Sequence, residues 1–372
     1  MAPTRVGIIG LSAKDAHGGA GAWAVTAILP SFQNSPEYEI VALCNSSVEA
    51  ARRSIEMHKL PSSTKTYGDA EELATTPTVA VAKHFELTLP ALAAKKRVYV
   101  EWPLGASVAE AERLTQLAEA SGLKTIVGLQ GRGDGLTAKL REIIESREIG
   151  DLLNVSVVGA LPYLPPSIWV EGVEYYADIK SGGNVFHIAF GHFLDSFTHV
   201  VGDFDLDSLS SVLKIDATQI VLLNADRTKV VDPAYPKSSP DHILVQGKLN
   251  NGATASLNFR ATSVTVDNIG GRWVISGTKG EIEASWGHGT MWQMHDPSMK
   301  LRVKLATGEE RNVELLKSDS PAVTNVQDVG LNTAVILDAF AKGDSSRFAD
   351  FGSALKTHRL LEEILQRSGY KF

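Results

Sequence analysis

Short apolar runs alternate with helical stretches up to about residue 130. The runs are Val6 to Ile9, Ile40 to Cys44, Val79 to Ala82, Val98 to Val100 and Thr125 to Leu129. Their Val and Ile content suits strands buried on both faces, and the alternation predicts a parallel sheet covered by helices. Helix ends are readable between the runs. Ser107-Val108-Ala109-Glu110 forms a capping box, Leu114, Leu117 and Ala118 make one apolar stripe, and Gly122 stands just past the end. Two more helices are predicted, from about Ser47 to His58 before Pro61, and from Leu136 with Leu140, Ile143 and Ile144 inward before Gly150.

Past residue 150 the texture changes to alternating strands with tight turns. Ile243, Val245 and Leu249 alternate with polar positions, Asn250-Asn251-Gly252 supplies a hairpin turn, and Ala253 to Arg260 reads as the return strand. A second hairpin is predicted over Trp273 to Ser276, Gly277-Thr278-Lys279-Gly280 and Glu281 to Trp286. Gly182 to Val200 reads as a helix entered through Ser181-Gly182-Gly183, and Phe351 to Ser368 as a terminal helix with Ala354, His358, Leu361 and Leu365 on one face. The expected architecture is α/β followed by α+β. Residues 1–131 are expected to form the parallel-sheet domain, and residues 132–372 a mostly antiparallel open-sheet domain whose last helix (about 351–368) packs back towards the first.

Composition narrows the setting without naming a function. A chain of 372 residues has length enough for two hydrophobic cores. The single cysteine, Cys44, excludes an intramolecular disulfide and points to a reducing compartment. Thirty-six basic against 43 acidic side chains give −7, which argues against a broad nucleic-acid footprint or an anionic membrane surface. Mean hydropathy is −0.03, and no apolar run approaches the roughly 18 residues of a membrane span. Met-Ala-Pro-Thr-Arg runs straight into a strand with no room for a signal peptide, so a cytoplasmic protein is expected, nuclear if regulatory.

The first strand, Arg5-Val6-Gly7-Ile8-Ile9, ends in the turn Gly10-Leu11-Ser12-Ala13, where a dinucleotide fold seats its pyrophosphate on backbone N–H groups. The match to G-x-G-x-x-G is incomplete, because Ser12 stands at the second glycine and the glycine-rich Gly18-Gly19-Ala20-Gly21 follows. The second strand ends in Asn45-Ser46-Ser47, without the acid that binds a ribose 2′-OH. With Arg52 or Arg53 nearby this favours NADP(H), NAD(H) being the other option; the other reading makes Ser46 or Ser47 a helix cap and the arginines a solvated face.

Several stretches together resemble the Gfo/Idh/MocA oxidoreductases: the strand–glycine start, Tyr99-Val100-Glu101-Trp102-Pro103-Leu104, the Gly182-Gly183 helix with Gly191-His192-Phe193-Leu194-Asp195, and Ile275-Ser276-Gly277-Thr278-Lys279-Gly280. Gly10-Leu11-Ser12-Ala13, Val100-Glu101-Trp102, Leu129-Gln130-Gly131-Arg132 and Pro240-Asp241-His242 are similar to the fungal Gal80-like branch, which holds a dinucleotide-sensing repressor as well as presumed oxidoreductases. The resemblance implies a Rossmann domain, an open antiparallel sheet whose outer face makes a homodimer, and cofactor contacts at Gly10, Leu11, Ser12, Ala13, Asn45, Ser46, Ser47, Arg52, Glu101, Trp102, Pro103 and Gln130. Catalytic members carry Glu-Lys-Pro where this chain has Glu101-Trp102-Pro103, and an Asp and a His on the Gly-Gly helix where it has Ile188 and His192. Trp102 is thus expected to lie flat near the nicotinamide or to block it. The fourth strand also departs from the pattern, Thr76 to Ala82 passing at once to Lys83-His84-Phe85-Glu86; either the pocket edge is remodelled or flanking residues lend length to the strand.

Hydride transfer needs an oriented nicotinamide and a group to handle one proton. His192 is the leading candidate, because histidine titrates near neutrality, and Asp195 one turn on can hold its ring; a buried core histidine is the other reading. Tyr176, with Tyr175, offers a phenolic proton or packs a cleft rim. Trp169, Tyr163 and Pro162 to Pro166 are candidates to cover the substrate mouth, and Asp241-His242 is either a second polar pair or a turn. No metal is expected, since His192 and Asp195 supply two ligands at most and there is no Cys pair or His-Glu-x-x-His. Three functions follow from these features: an NAD(P)-dependent oxidoreductase acting on a small carbonyl, imine or hydroxyl substrate in the interdomain cleft; a dinucleotide-sensing regulator that binds an activator protein; and a non-redox acid–base enzyme such as a cyclase, isomerase or lyase.

Overall fold

The computed structural model describes residues 2–12, 22–74, 79–81, 84–161 and 167–371. Ala13, the Gly18-Gly19-Ala20-Gly21 insertion, Thr76 to Thr78, Ala82, Lys83 and Pro162 to Pro166 with Tyr163 lie outside them. The chain divides into two compact units. One is Met1–Gly133 with Ser318–His358, the other Asp134–Lys317 with Arg359–Phe372.

In the first unit β1 (Thr4–Ile9), β2 (Tyr38–Cys44), β3 (Lys65–Tyr67), β4 (Val79–Val81), β5 (Val98–Glu101) and β6 (Thr125–Gly128) form a six-stranded sheet in the order β3-β2-β1-β4-β5-β6. All pairings are parallel, as the apolar runs predict. Only three residues long, β4 still sits in the middle of the sheet, pairing with β1 and β5. Helix starts follow the polar residues seen in the sequence: Ser47 caps Val48–Met57, and Ser107 caps Val108–Ala120. The capping box closes one residue early, because the Glu110 carboxylate accepts from Ala106 N–H at 2.8 Å rather than from Ser107. One face of the sheet buries Val6, Ile8, Tyr99 and Ile126 against Phe32 and against Ile336 and Leu337 of the helix Asp328–Lys342.

The second unit holds β7 (Leu152–Leu161), β8 (Ile168–Val170), β9 (Ser210–Lys214), β10 (Gln219–Leu223), β11 (Val230–Pro236), β12 (His242–Lys248), β13 (Thr254–Ala261), β14 (Ile269–Gly277), β15 (Gly280–Gly287), β16 (Lys300–Leu305) and β17 (Glu310–Asn312). Eight of them form one sheet in the order β17-β16-β15-β14-β7-β13-β12-β9. It is antiparallel except at β7–β13, and both expected hairpins are present as β12–β13 and β14–β15. A smaller sheet, β11-β10-β8, stands apart. Against the large sheet lies the helical segment Phe186–Phe190 and Gly191–Val201. Buried Asn184 starts it, its side-chain oxygen accepting from the N–H groups of Phe186 and His187 at 3.1 and 3.2 Å. Spacings of four, three and four residues put Phe186, Phe190, Phe193 and Phe197 on one stripe. That stripe meets Phe259 and Trp273 on the sheet.

Asp241 and His242 do not form a polar pair with each other. Successive strand residues face opposite sides: the Asp241 carboxylate holds buried Lys237 at 2.5 Å, whereas His242 turns to Asp216. No helix among the described residues is long and apolar enough to cross a membrane.

Candidate functional site

In an open parallel sheet, ligands gather beyond the carboxyl ends of the strands where the strand order reverses, and here β1 is flanked by β2 on one side and β4 on the other. Gly10, Leu11 and Ser12 follow β1, Asn45, Ser46 and Ser47 follow β2, Trp102 and Pro103 follow Glu101 at the end of β5, and Gln130 follows β6. The sequence-derived cofactor residues therefore line one edge of the sheet, apart from Ala13, which is outside the described residues, and Arg52, exposed on the helix after β2. Gly10 has φ +85°, a left-handed conformation that suits glycine, and its N–H donates to Cys44 carbonyl at 3.0 Å.

The end of β2 is engaged internally. Asn45 Nδ2 donates to the Leu11 carbonyl at 2.9 Å and to Ser54 Oγ at 3.0 Å, and Ser54 Oγ reaches the same carbonyl at 2.9 Å. Ser47 is the helix cap, accepting from Ala50 N–H, while Ser46, Arg52 and Arg53 are exposed. The turn after β1 is thereby tied to the helix after β2. Asn45→Ala is expected to cost about 1 kcal/mol in urea unfolding, since the Leu11 carbonyl loses one of its two donors and keeps Ser54 Oγ, and to weaken NADPH and NADH equally. A loss confined to NADPH in paired titrations would instead place Asn45 on the 2′-phosphate.

At the other end of the edge, Glu101 is held by four neighbours, one of them the Trp102 backbone N–H. Tyr99 hydroxyl donates to Oε1, Gln130 Nε2 donates to Oε1 and Oε2 at 3.1 and 2.9 Å, and the Trp23 side chain bonds the same carboxyl. Burial outweighs these donors and pushes the carboxyl up to about 7. Gly128 leaves the space: a Cβ there would stand 2.3 Å from Glu101 Oε2. Gln130 Oε1 is buried with no hydrogen-bond partner. Trp102 is only 4% exposed, its ring 4.6 Å from that of His358, and it precedes a cis peptide bond to Pro103. His84, in the segment after β4, bonds Pro103 carbonyl through Nδ1, and burial holds it below the usual histidine range. No motif marks Tyr99 or His84 as a site residue, although Tyr99 is readable from the strand, because i and i+2 on a strand share a face.

In the second unit His192 is 4% exposed, and burial lowers it to about 3, so the ring is neutral. Its Nδ1 has no hydrogen-bond partner among the described residues. Asp195 is buried on the next turn. His187, lowered to about 4 by burial, bonds Asn184 Oδ1 at 3.1 Å. Tyr176 stacks between Trp169 and half-exposed Tyr175, ring centroids 5.2 and 4.9 Å away. No group of three or more metal-ligating side chains occurs among the described residues.

The family model of the oxidoreductase family with an NAD-binding Rossmann fold matches residues 5–129, and that of the Gal80p C-terminal domain matches residues 136–285. The chain belongs to the Gfo/Idh/MocA family, in its Gal80-like branch. The galactose/lactose metabolism regulatory protein GAL80 of Saccharomyces cerevisiae is 28% identical over 76% of this chain, which spans 66% of that protein's length. The dehydrogenase aclE of Aspergillus oryzae is 27% identical over 97% of this chain and 95% of its own. A crystal structure of a super-repressor mutant of Gal80p from Saccharomyces cerevisiae superimposes with a TM-score of 0.84 at 23% identity, covering 99% of this chain and 97% of that one. This Gal80-like chain therefore carries the Rossmann and antiparallel-sheet fold common to regulators and oxidoreductases, and its family binds a nicotinamide dinucleotide.

Proposed function

We propose that this Gal80-like protein is an NAD(P)-dependent oxidoreductase that moves hydride to or from a small carbonyl, imine or hydroxyl substrate. The observation that carries the reading is His192, a buried neutral imidazole with Nδ1 unpartnered, on the helix where catalytic members of the family keep a histidine. A buried ring nitrogen without a partner is costly. A substrate hydroxyl satisfies it in one tautomer and a carbonyl in the other. The bound nicotinamide supplies or takes the hydride. The protein's share would be to hold the cofactor along Gly10–Ser12, Glu101, Pro103 and Gln130, to hydrogen-bond the substrate oxygen at His192, and to supply from the Tyr176 phenol, or return to it, the proton that accompanies the hydride. Likeness to dehydrogenase aclE over nearly the full length of both chains supports the enzyme reading. Exposed Arg52 and Ser46 support NADP(H) as the preferred cofactor. A homodimer fits the outer face of the large sheet, where Val158 and Val212 are more than half exposed.

Trp102 favours a second reading. Its indole stands where catalytic relatives have a lysine, so no ammonium is supplied there, as in a Gal80-like sensor that binds the dinucleotide and an activator protein. One experiment separates the two: NADPH and NADH oxidation across a carbonyl and imine panel, beside dinucleotide binding by fluorescence. Turnover is expected, and His192→Asn should lower kcat by about 100-fold, through loss of a positioned hydrogen bond to the reacting oxygen, with dinucleotide affinity unchanged. Tight binding with no turnover on any substrate would overturn the enzyme and leave the sensor.

A further inference from the structure

The parallel sheet has a second opening at the opposite end from the dinucleotide residues. A cavity of about 260 Å³ lies at the starts of β1, β2 and β5. Its wall is apolar: Val6, Phe32, Tyr99, Ile126 and Phe340. Its mouth carries one charge of each sign, Glu37 and Arg97. Arg97 donates to Thr4 Oγ1 at 3.2 Å, and neither it nor Glu37 forms an ion pair among the described residues. Tyr38, also at the mouth, is already engaged, its hydroxyl donating to Leu337 carbonyl at 2.7 Å and so fixing the helix that forms one side.

We propose that this cavity binds a free α-amino acid with an apolar side chain. A zwitterionic head matches a mouth with one carboxylate and one guanidinium that form no ion pair among the described residues, and a single ring or branched chain matches the apolar interior. The volume suits it: a dry cavity of about 150 Å³ accepts benzene, and drug-sized ligands need about 300 Å³ or more. Tyr99 joins this site to the cofactor edge. Its ring lines the cavity, and its hydroxyl donates to Glu101. Amino acid and dinucleotide should therefore change each other's affinity by the same factor.

Calorimetric titration of the full chain with L-phenylalanine, phenylacetate and phenethylamine tests this. L-phenylalanine should bind one to one, and each analogue, lacking one charge, about tenfold or more weakly. Ala341→Trp, which places a large ring at an exposed position of the mouth, should abolish binding, and Arg97→Leu should weaken it about tenfold. Both variants should keep wild-type melting temperature and dinucleotide affinity. No heat from any of the three compounds, an analogue binding as tightly as L-phenylalanine, or indifference to Ala341→Trp would overturn the site. Identical NADPH affinity with and without saturating L-phenylalanine would overturn the coupling. None of these readouts needs turnover, so a failure of the oxidoreductase reading leaves the test intact.

Discussion

Phe193→Ala is expected to lower the stability of the second unit by about 4 kcal/mol, the middle of the range for deleting a buried aromatic ring. Phe193 is 2% exposed, and its ring centroid lies within 4.8 to 6.3 Å of those of Trp292, Phe259, Trp273, Trp286 and Phe197. Those partners come from the helix, from β13, β14 and β15, and from the segment after β15, so no single element can move to fill the void. Urea unfolding followed by tryptophan fluorescence reports on it directly, because three of the partners are tryptophans. Val158→Ala, on the exposed face of the same sheet, should change stability by less than about 0.5 kcal/mol. A loss below about 1 kcal/mol for Phe193→Ala would mean that the aromatic cluster is not the core that holds this unit.

The helix bearing Phe193 was legible because its signals are local: a glycine entry and a stripe of apolar residues at helical spacing. So were the strands β1, β2, β5 and β6, whose apolar runs end within a few residues of the observed bounds. What the helix packs against was not legible, since Trp273 lies 80 positions further along the chain and nothing in the local pattern names it. Val79–Val81 shows the same limit from the other side. Three apolar residues are a weak signal alone, and only pairing with β1 and β5 on both sides makes them a central strand.

The candidate site divides along the same line. Gly10 was readable as a candidate because a glycine turn after the first strand marks the ligand edge of a parallel sheet, whereas Glu101 and Gln130 were candidates through the family resemblance alone. Asn45 was found for one chemistry and is engaged in another: its amide holds the Leu11 carbonyl, a contact between positions 34 apart that no spacing rule encodes. His192 was identified, but its burial was not, and burial decides whether it carries charge. A histidine lowered to about 3 is a hydrogen-bonding group near neutrality, not an acid.

Burial also governs Glu101, and its consequence is measurable without a substrate. The carboxyl sits at about 7 in the folded chain against an ordinary value of 4.5. Below pH 4.5 folded and unfolded chains are both protonated there, and the group contributes nothing to the pH dependence. Between pH 4.5 and 7 the folded chain holds the proton while the unfolded chain releases it, so stability falls as pH rises; above pH 7 the loss is complete. The full change is about 3 kcal/mol. Glu101→Gln should remove this slope, matching wild type near pH 4 and exceeding it by up to about 3 kcal/mol at pH 8. The substitution keeps an acceptor for the Tyr99 hydroxyl. Urea unfolding at pH 5 and pH 8 on both proteins decides the matter: equal differences at the two pH values would show that Glu101 ionises as freely in the fold as outside it. If the slope is present, the cofactor edge of this Gal80-like protein carries a carboxyl that changes charge near neutrality. Dinucleotide affinity should then change across pH 6 to 8 in the wild type and stay level in Glu101→Gln.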